Sequence, residues 1–127
     1  TTVDDVGRCI NPMIVHGQTH GGIAQGVGQA MWEECYLDPE SGQPLCGSFM
    51  DYCMPRAHTL PSFKTEIAEV HSPTNPLGIK AGGEGGTTPA MAVMVNGVVD
   101  ALKPYGITDL QIPLTPSSIW KAIQAAT

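Results

Sequence analysis

The chain has 127 residues, of which 42% are hydrophobic, and its formal net charge is −6. This is the composition of an ordinary globular protein, and the length predicts one domain with a core of its own. The six basic residues are scattered, which excludes an electrostatic footprint for nucleic acid, and no apolar run approaches the roughly 18 residues that a membrane span needs.

Four cysteines, Cys9, Cys35, Cys46 and Cys53, show no CxxC spacing, and the chain is not dense in cysteine. A secreted disulfide scaffold is therefore excluded, and we expect a reducing, cytoplasmic setting in which most of these thiols are buried by packing. The sequence starts without an initiator methionine, in what looks like a strand. We therefore expect a segment of a larger protein or a processed subunit.

The first half of the chain predicts a strand, a long helix and a hairpin. The strand covers residues 1–6 and runs into a turn at Gly7. Apolar residues at helical spacing then predict one long helix over residues 13–36. Residues 37–45 contain an Asp-Pro pair and a glycine, which are typical of a surface hairpin loop.

The second half predicts one strand and two helices. Alternation of apolar and polar residues indicates a half-buried strand over 63–70, followed by a loop over 72–86 that is rich in glycine and proline. Thr87, Thr88 and Pro89 supply a cap and a first-turn proline for an apolar helix over 90–102, and a second Thr-Pro pair starts a short helix over 115–125. The predicted fold class is α+β, with three helices and a small sheet.

Glu84 is the one ionisable side chain among four glycines in the segment Ala81–Thr87 (AGGEGGT). Glycines let a backbone approach a ligand, and the following helix N-terminus offers free N–H donors to an anion. A carboxylate in such a loop is expected to be desolvated, which favours its neutral form and suits a general base. The alternative is an ordinary glycine-rich loop.

Two glutamines, Gln18 and Gln25, are spaced two helical turns apart and so share one face of the predicted first helix. The small residues between them would let a flat ligand pack closely, and an amide such as that of Gln18 orients polar groups well. The alternative is a helix whose glycines serve only close helix packing. Position inside a helix excludes a nucleotide-binding GxGxxG loop.

His16 and His20 lie four residues apart, the spacing of a metal-ligand pair on a helix. The sequence offers no glutamate between them and no convincing third ligand. A solvated or hydrogen-bonded pair is the favoured interpretation, and a small zinc- or phosphate-binding protein is the weaker alternative.

The order of these elements resembles the C-terminal part of the molybdenum-binding large subunit in the xanthine dehydrogenase and aldehyde oxidase family. The resemblance covers nearly the whole chain, and four blocks carry it: Asp4–Pro12 (DDVGRCINP), Gly17–Gln29 (GQTHGGIAQGVGQ), Gly47–Arg56 (GSFMDYCMPR) and Ser72–Glu84 (SPTNPLGIKAGGE). One departure is the pair Gly82-Gly83 before Glu84, since the family often has valine before the Gly-Glu or in its immediate place. The resemblance implies that residues 1–127 are the C-terminal portion of a molybdopterin-binding domain, as a fragment or a split subunit.

In that family a pterin dithiolene holds molybdenum, and no protein side chain ligates the metal. The resemblance implies that Glu84 is the catalytic base toward Mo–OH, while hydride passes to the sulfido ligand and Gln18 hydrogen-bonds the oxo group. Water-derived oxygen would then enter an electron-poor carbon of a purine, an aldehyde or an N-heteroaromatic compound. The implied cofactor contacts are Gln18, Thr19, His20, Gly21, Gly22, Lys80, Ala81, Gly82, Gly83 and Gly85.

The resemblance also implies molybdopterin cytosine dinucleotide as the cofactor, with iron–sulfur and FAD centres on partner subunits or domains. The upstream part of the molybdenum subunit would complete the pocket, so this chain by itself should be inactive. The alternative is a non-catalytic binding or assembly module of the same fold. Substrate, electron acceptor, oligomeric state and the distinction from carbon monoxide dehydrogenase are not determined by this sequence.

Overall fold

A computed structural model describes all 127 residues and has the predicted α+β class. Three helices account for most of the regular structure, and the only strands form a two-stranded sheet. The elements are β1 (Thr2–Asp4), α1 (Pro12–Met31), β2 (Thr65–Ile67), α2 (Thr87–Leu102) and α3 (Pro116–Ala126), with short 3-10 turns at Ala57–Thr59 and Lys103–Tyr105.

Helix α1 runs unbroken through its glycines. Asn11 caps its first turn, because the side-chain oxygen accepts from the N–H of Ile14 at 3.3 Å, and proline occupies the first helical position. The helix ends at Met31, and the N–H groups of Trp32 and Glu33 both donate to the carbonyl of Gly28. The predicted end at residue 36 is therefore wrong by about one turn.

Helices α1 and α2 pack with almost no side chain between them. A Cβ on Gly22 would lie 2.9 Å from the backbone nitrogen of Thr87, and one on Gly26 would lie 2.7 Å from the Cβ of Ala90. A Cβ on Gly86 would lie 2.5 Å from the backbone oxygen of Thr19. The glycines therefore set the distance at which the start of α2 lies against the middle of α1.

The sheet joins the beginning of the chain to its middle. Strand β1 pairs with β2 in parallel, with Thr2 opposite Thr65 and Asp4 opposite Ile67. Backbone hydrogen bonds extend this pairing to Lys64 and Ala68, but the strand predicted over 63–70 is longer than the one that forms. The parallel pairing is a feature that the local sequence pattern did not indicate.

The hairpin and the third helix follow the sequence-based predictions. Leu37 and Pro44 form an antiparallel bridge, and Gly42 takes the positive φ (70°) that the turn requires. Thr115 caps α3 by accepting from the N–H of Ser118 at 3.2 Å. Both predictions are confirmed.

The core is smaller than the length predicts. Only 14 of 127 residues are buried, and the accessible surface is 8737 Å², whereas a chain of this length with a closed core exposes roughly 6,500 Å². Large apolar side chains such as Phe49 and Met50 are 75% and 93% exposed.

The prediction of buried thiols is also wrong, because Cys35 and Cys53 are exposed and the other two cysteines are half-buried. None of the helices has both the length and the apolar character needed to cross a membrane.

The glycine contact between α1 and α2 gives a direct test of packing. Gly26→Ala should lower the free energy of unfolding by about 1–3 kcal/mol, because the new methyl group meets the backbone of Thr87 and the side chain of Ala90. Gly17→Ala on the same helix meets nothing within 4 Å and should raise that free energy by up to about 1 kcal/mol. Urea denaturation of the full chain measures both, and equal effects would contradict the close packing.

Candidate active site and cofactor surface

The glycine loop over 81–86 lies at the start of α2 and carries Glu84. The carbonyl of Glu84 accepts from the N–H groups of Thr87 and Thr88, both at 3.1 Å, so this residue closes the first turn before the helix. Its side chain is exposed. The expected desolvation is therefore wrong for this chain, because residues of the chain cover only the backbone side of the loop.

Gln18 connects α1 to this loop. Its side-chain Nε2 donates to the carbonyl of Gly83 at 2.8 Å, one residue before Glu84. Gln25 reaches the same side of α1, where its Oε1 lies 3.5 Å from the hydroxyl of Thr87. The prediction that both glutamines share one face is confirmed, and the structure brings Gln18 and the Glu84 loop together.

The loop presents backbone groups with few side chains in the way. The N–H groups of residues 81–86 donate no hydrogen bond within the chain. A Cβ on Gly17, Gly21 or Gly83 would meet nothing within 4 Å, so this surface is open. Free N–H donors beside a helix N-terminus suit a polar or anionic group that can lie close to the backbone.

A carboxylate lies beneath the loop. The hydroxyl of Thr19, which is 3% exposed, donates to Oδ2 of Asp4 at 2.6 Å. The other oxygen of Asp4 occupies the space that a Cβ on Gly85 would need, at 2.9 Å. Asp4 therefore joins β1 to α1 and supports the loop from below, while Thr19 and Gly22 have packing partners inside the chain.

The carboxylate of Asp5 binds Lys80, the residue immediately before the glycine loop. This carboxylate accepts from Lys80 Nζ and from the N–H groups of Gly7 (2.9 Å) and Val70 (3.2 Å). The hydrogen bond from Lys80, followed by those from Gly7 and Val70, lowers the pKa of Asp5 below its usual value. Gly82 has no room for a side chain, since a Cβ there would lie 2.6 Å from the side chain of Val6.

The two histidines of α1 face the sheet. His16 Nδ1 lies 2.7 Å and His20 Nε2 lies 3.3 Å from the hydroxyl of Thr65, and the ring of His20 packs edge-on against Phe63. No group of three histidine, cysteine or acidic side chains in the chain is placed to hold a metal ion. The favoured interpretation of a hydrogen-bonded pair agrees with these contacts.

A separate concavity is an apolar cleft beside α1 and α2. It measures about 400 Å³, and it is formed by α1, α2 and the segment 59–63. Its walls are mainly apolar, and they include none of the residues predicted to contact a cofactor. The candidate site is thus an open surface, not an enclosed pocket of this chain.

Comparisons with known proteins agree with this geometry. Residues 1–61 match the family model of a molybdopterin cofactor-binding domain. The chain is 41% identical over 127 residues to the gamma subunit of the 6-hydroxypseudooxynicotine dehydrogenase complex of Paenarthrobacter nicotinovorans, covering 98% of this chain and 16% of that subunit. It is 33% identical over 124 residues to the putative xanthine dehydrogenase molybdenum-binding subunit of Escherichia coli K12, again covering 98% and 16%.

Among solved structures, the chain superposes on the Cu,Mo-CO dehydrogenase in its carbon monoxide reduced state with a TM-score of 0.91 and 35% identity. The match covers 98% of this chain and 16% of the solved chain. The chain therefore spans about a sixth of the length of the relatives that it matches.

The fold and the matched family model define the chain as part of a molybdenum-cofactor-binding domain of the molybdenum hydroxylases. It belongs to the xanthine dehydrogenase family, in which it corresponds to a segment of the molybdenum-binding large subunit. The free N–H groups and the open glycine surface fit a pterin cofactor, whose ring and phosphate edges need donors at close range.

Three residues that hold the site were missed as candidates in the sequence. Asp4 and Asp5 looked like the end of a strand, and only their contacts with Thr19 and Lys80 show that they support the loop. Gly86 looked like one more loop glycine, and only its contact with the backbone of Thr19 shows that α1 leaves no room for a side chain there.

The amide of Gln18 should stabilise the start of α2. Gln18→Ala removes its hydrogen bond to Gly83 and loosens the loop whose carbonyl at Glu84 holds Thr87 and Thr88. Amide hydrogen exchange at those two threonines should accelerate roughly two- to tenfold, the equivalent of one ordinary hydrogen bond. Gln29→Ala, an exposed glutamine on the same helix, is the control and should leave this exchange unchanged.

The Asp5 cluster should make stability depend on pH. Because the pKa of folded Asp5 lies below 3.8, its stabilisation is present above that value and is lost as the pH falls through the folded pKa. Asp5→Asn should therefore lower the melting temperature near neutral pH and have little effect in strong acid. Asp109→Asn, at an exposed residue, is the control, and a deficit for Asp5→Asn that persists in acid would contradict the cluster.

Proposed function

We propose that this chain forms one wall of a molybdenum–pterin active site and supplies its catalytic base, Glu84. The observation that carries the proposal is the hydrogen bond from Gln18 to Gly83, which places two distant sequence blocks at one exposed surface beside Glu84. When bound, the cofactor would supply the redox centre at which oxygen from water is transferred to an electron-poor carbon.

In this proposal each residue of the surface has a separate task. Glu84, exposed at the end of its loop, accepts the proton that the water-derived oxygen gives up. Gln18 donates one hydrogen of its Nε2 to Gly83, which leaves the second hydrogen of that amide able to donate to an oxygen of the cofactor. The N–H groups of 81–86, which donate no hydrogen bond within the chain, are the donors that would orient the cofactor.

The predicted cofactor contacts divide into two groups. Gly21, Ala81, Gly83 and Gly85 are exposed and offer backbone to the cofactor. Thr19, Gly22, Lys80 and Gly82 are engaged inside the chain, so their contribution is to hold the surface in shape. His20 faces Thr65, and its contact with the cofactor stays a prediction, as does the cytosine dinucleotide form of the pterin.

The remainder of the large subunit is proposed to pack against the apolar surface of this segment. The chain exposes roughly 2,000 Å² more than a closed domain of its length, and many of its exposed side chains are large and apolar. Burial of that surface would also enclose the Glu84 loop from its open side. Iron–sulfur and flavin partners and a cytoplasmic location stay predictions from the sequence.

The substrate is proposed to be a small molecule with an electron-poor carbon, such as a purine, an aldehyde or an N-heteroaromatic compound. The relatives are named for substrates as different as xanthine and carbon monoxide, so similarity to them does not select one. The residues that contact the substrate ring are expected to come mainly from outside this chain.

The base can be tested by replacing one carboxylate in the complete enzyme. Glu84→Gln should lower kcat roughly 100- to 10,000-fold with the molybdenum content unchanged, because the amide cannot accept the proton. Glu66→Gln, an exposed glutamate on β2, is the matched control and should keep full activity. Full turnover by the Glu84→Gln enzyme would favour the alternative, a non-catalytic assembly module.

A further inference from the structure

Two of the four cysteines meet across the hairpin. In the hairpin, the N–H of Leu45 donates to the carbonyl of Tyr36, and that of Asp38 donates to Gln43, both at 2.9 Å. These bonds set a register in which Leu37 stands opposite Pro44. The arms are bridged only at Leu37 and Pro44, and the same register extended two positions back along the first arm sets Cys35 opposite Cys46.

The type of this pair favours a cross-link. Hydrogen-bonded and non-hydrogen-bonded pairs alternate along antiparallel strands, so the extended register gives Cys35 and Cys46 the same position type as the non-hydrogen-bonded pair Leu37 and Pro44. In such pairs the Cα atoms lie about 4.5 Å apart, within the roughly 4.4–6.8 Å that a disulfide spans.

Side-chain contacts agree with the register. The Sγ of Cys46 lies 3.9 Å from the carbonyl of Tyr36, the residue next to Cys35. The side chain of Cys46 also raises the pKa of Cys35, an effect that acts between groups lying close together. Cys35 is exposed, and Cys46 lines a shallow cleft of about 220 Å³, so small reagents reach both.

We propose that Cys35 and Cys46 are a redox-active dithiol that forms a reversible disulfide across the hairpin. With oxidised glutathione, one cysteine thiolate attacks the glutathione disulfide and releases one glutathione thiolate. The second cysteine thiolate then attacks the mixed disulfide and releases the other. The two protons of the cysteines pass to the two glutathiones, so two thiols are oxidised and one disulfide is reduced. Exposed disulfides of this kind are the labile and regulatory ones.

The test is thiol mapping of the full-length protein in glutathione buffers. After incubation with oxidised glutathione, iodoacetamide labelling and mass spectrometry should show Cys9 and Cys53 alkylated, with the peptides of Cys35 and Cys46 joined and two hydrogens lighter. Reduced glutathione should restore four labelled thiols. The result that would overturn the proposal is separate glutathione adducts on Cys35 and Cys46, or a cross-link that involves another cysteine.

Single variants provide the matched control. Cys35→Ser and Cys46→Ser should each retain one glutathione on the remaining cysteine, because the resolving thiol is gone. Phenylarsine oxide, which bridges paired thiols, gives a second measurement that needs no oxidation. It should protect both cysteines of the parent protein from alkylation and neither single variant, and equal protection in parent and variants would also overturn the proposal.

Discussion

The fold depends on one steric constraint: α1 and the start of α2 touch where neither has room for a methyl group. Gly22 and Gly26 on α1 and Gly86 before α2 leave backbone against backbone. This distance lets a side chain as short as that of Gln18 reach the carbonyl of Gly83. A bulkier contact would move the glycine loop away from α1 and separate Glu84 from the residues around it.

Two carboxylates brace this contact from the side of the sheet. Asp4 receives the hydroxyl of Thr19 and borders Gly85, and Asp5 holds Lys80 at the entrance of the loop. Both project from the end of β1 or just beyond it, so the small sheet acts as an anchor for the loop. The exposed surface that carries Glu84 is thereby supported on one side by structure and left open on the other.

Local patterns in the sequence were sufficient for the features that local chemistry determines. Threonine and proline marked the start of α3 correctly, whereas α2 begins at Thr87 after Gly86 and has no side-chain cap, so its predicted threonine cap and start at residue 90 are wrong. The turn-forming residues of the hairpin were recognised from the sequence. The parallel pairing of Thr2 with Thr65 could not be predicted, because the sequence of a short strand does not identify its partner strand. The desolvation expected for Glu84 failed for a related reason, since burial depends on what covers a residue and the glycine pattern describes only the backbone beneath it.

The long separation between the paired strands has a consequence for how the chain acquires its structure. Strand β1 pairs with residues more than sixty positions later in the chain, so the pairing closes a long loop. This pairing therefore forms after the local helices and the hairpin. Asp4 and Asp5 reach their positions only with that closure. The glycine loop would therefore gain its support among the last steps of folding, when the helices that frame it already exist.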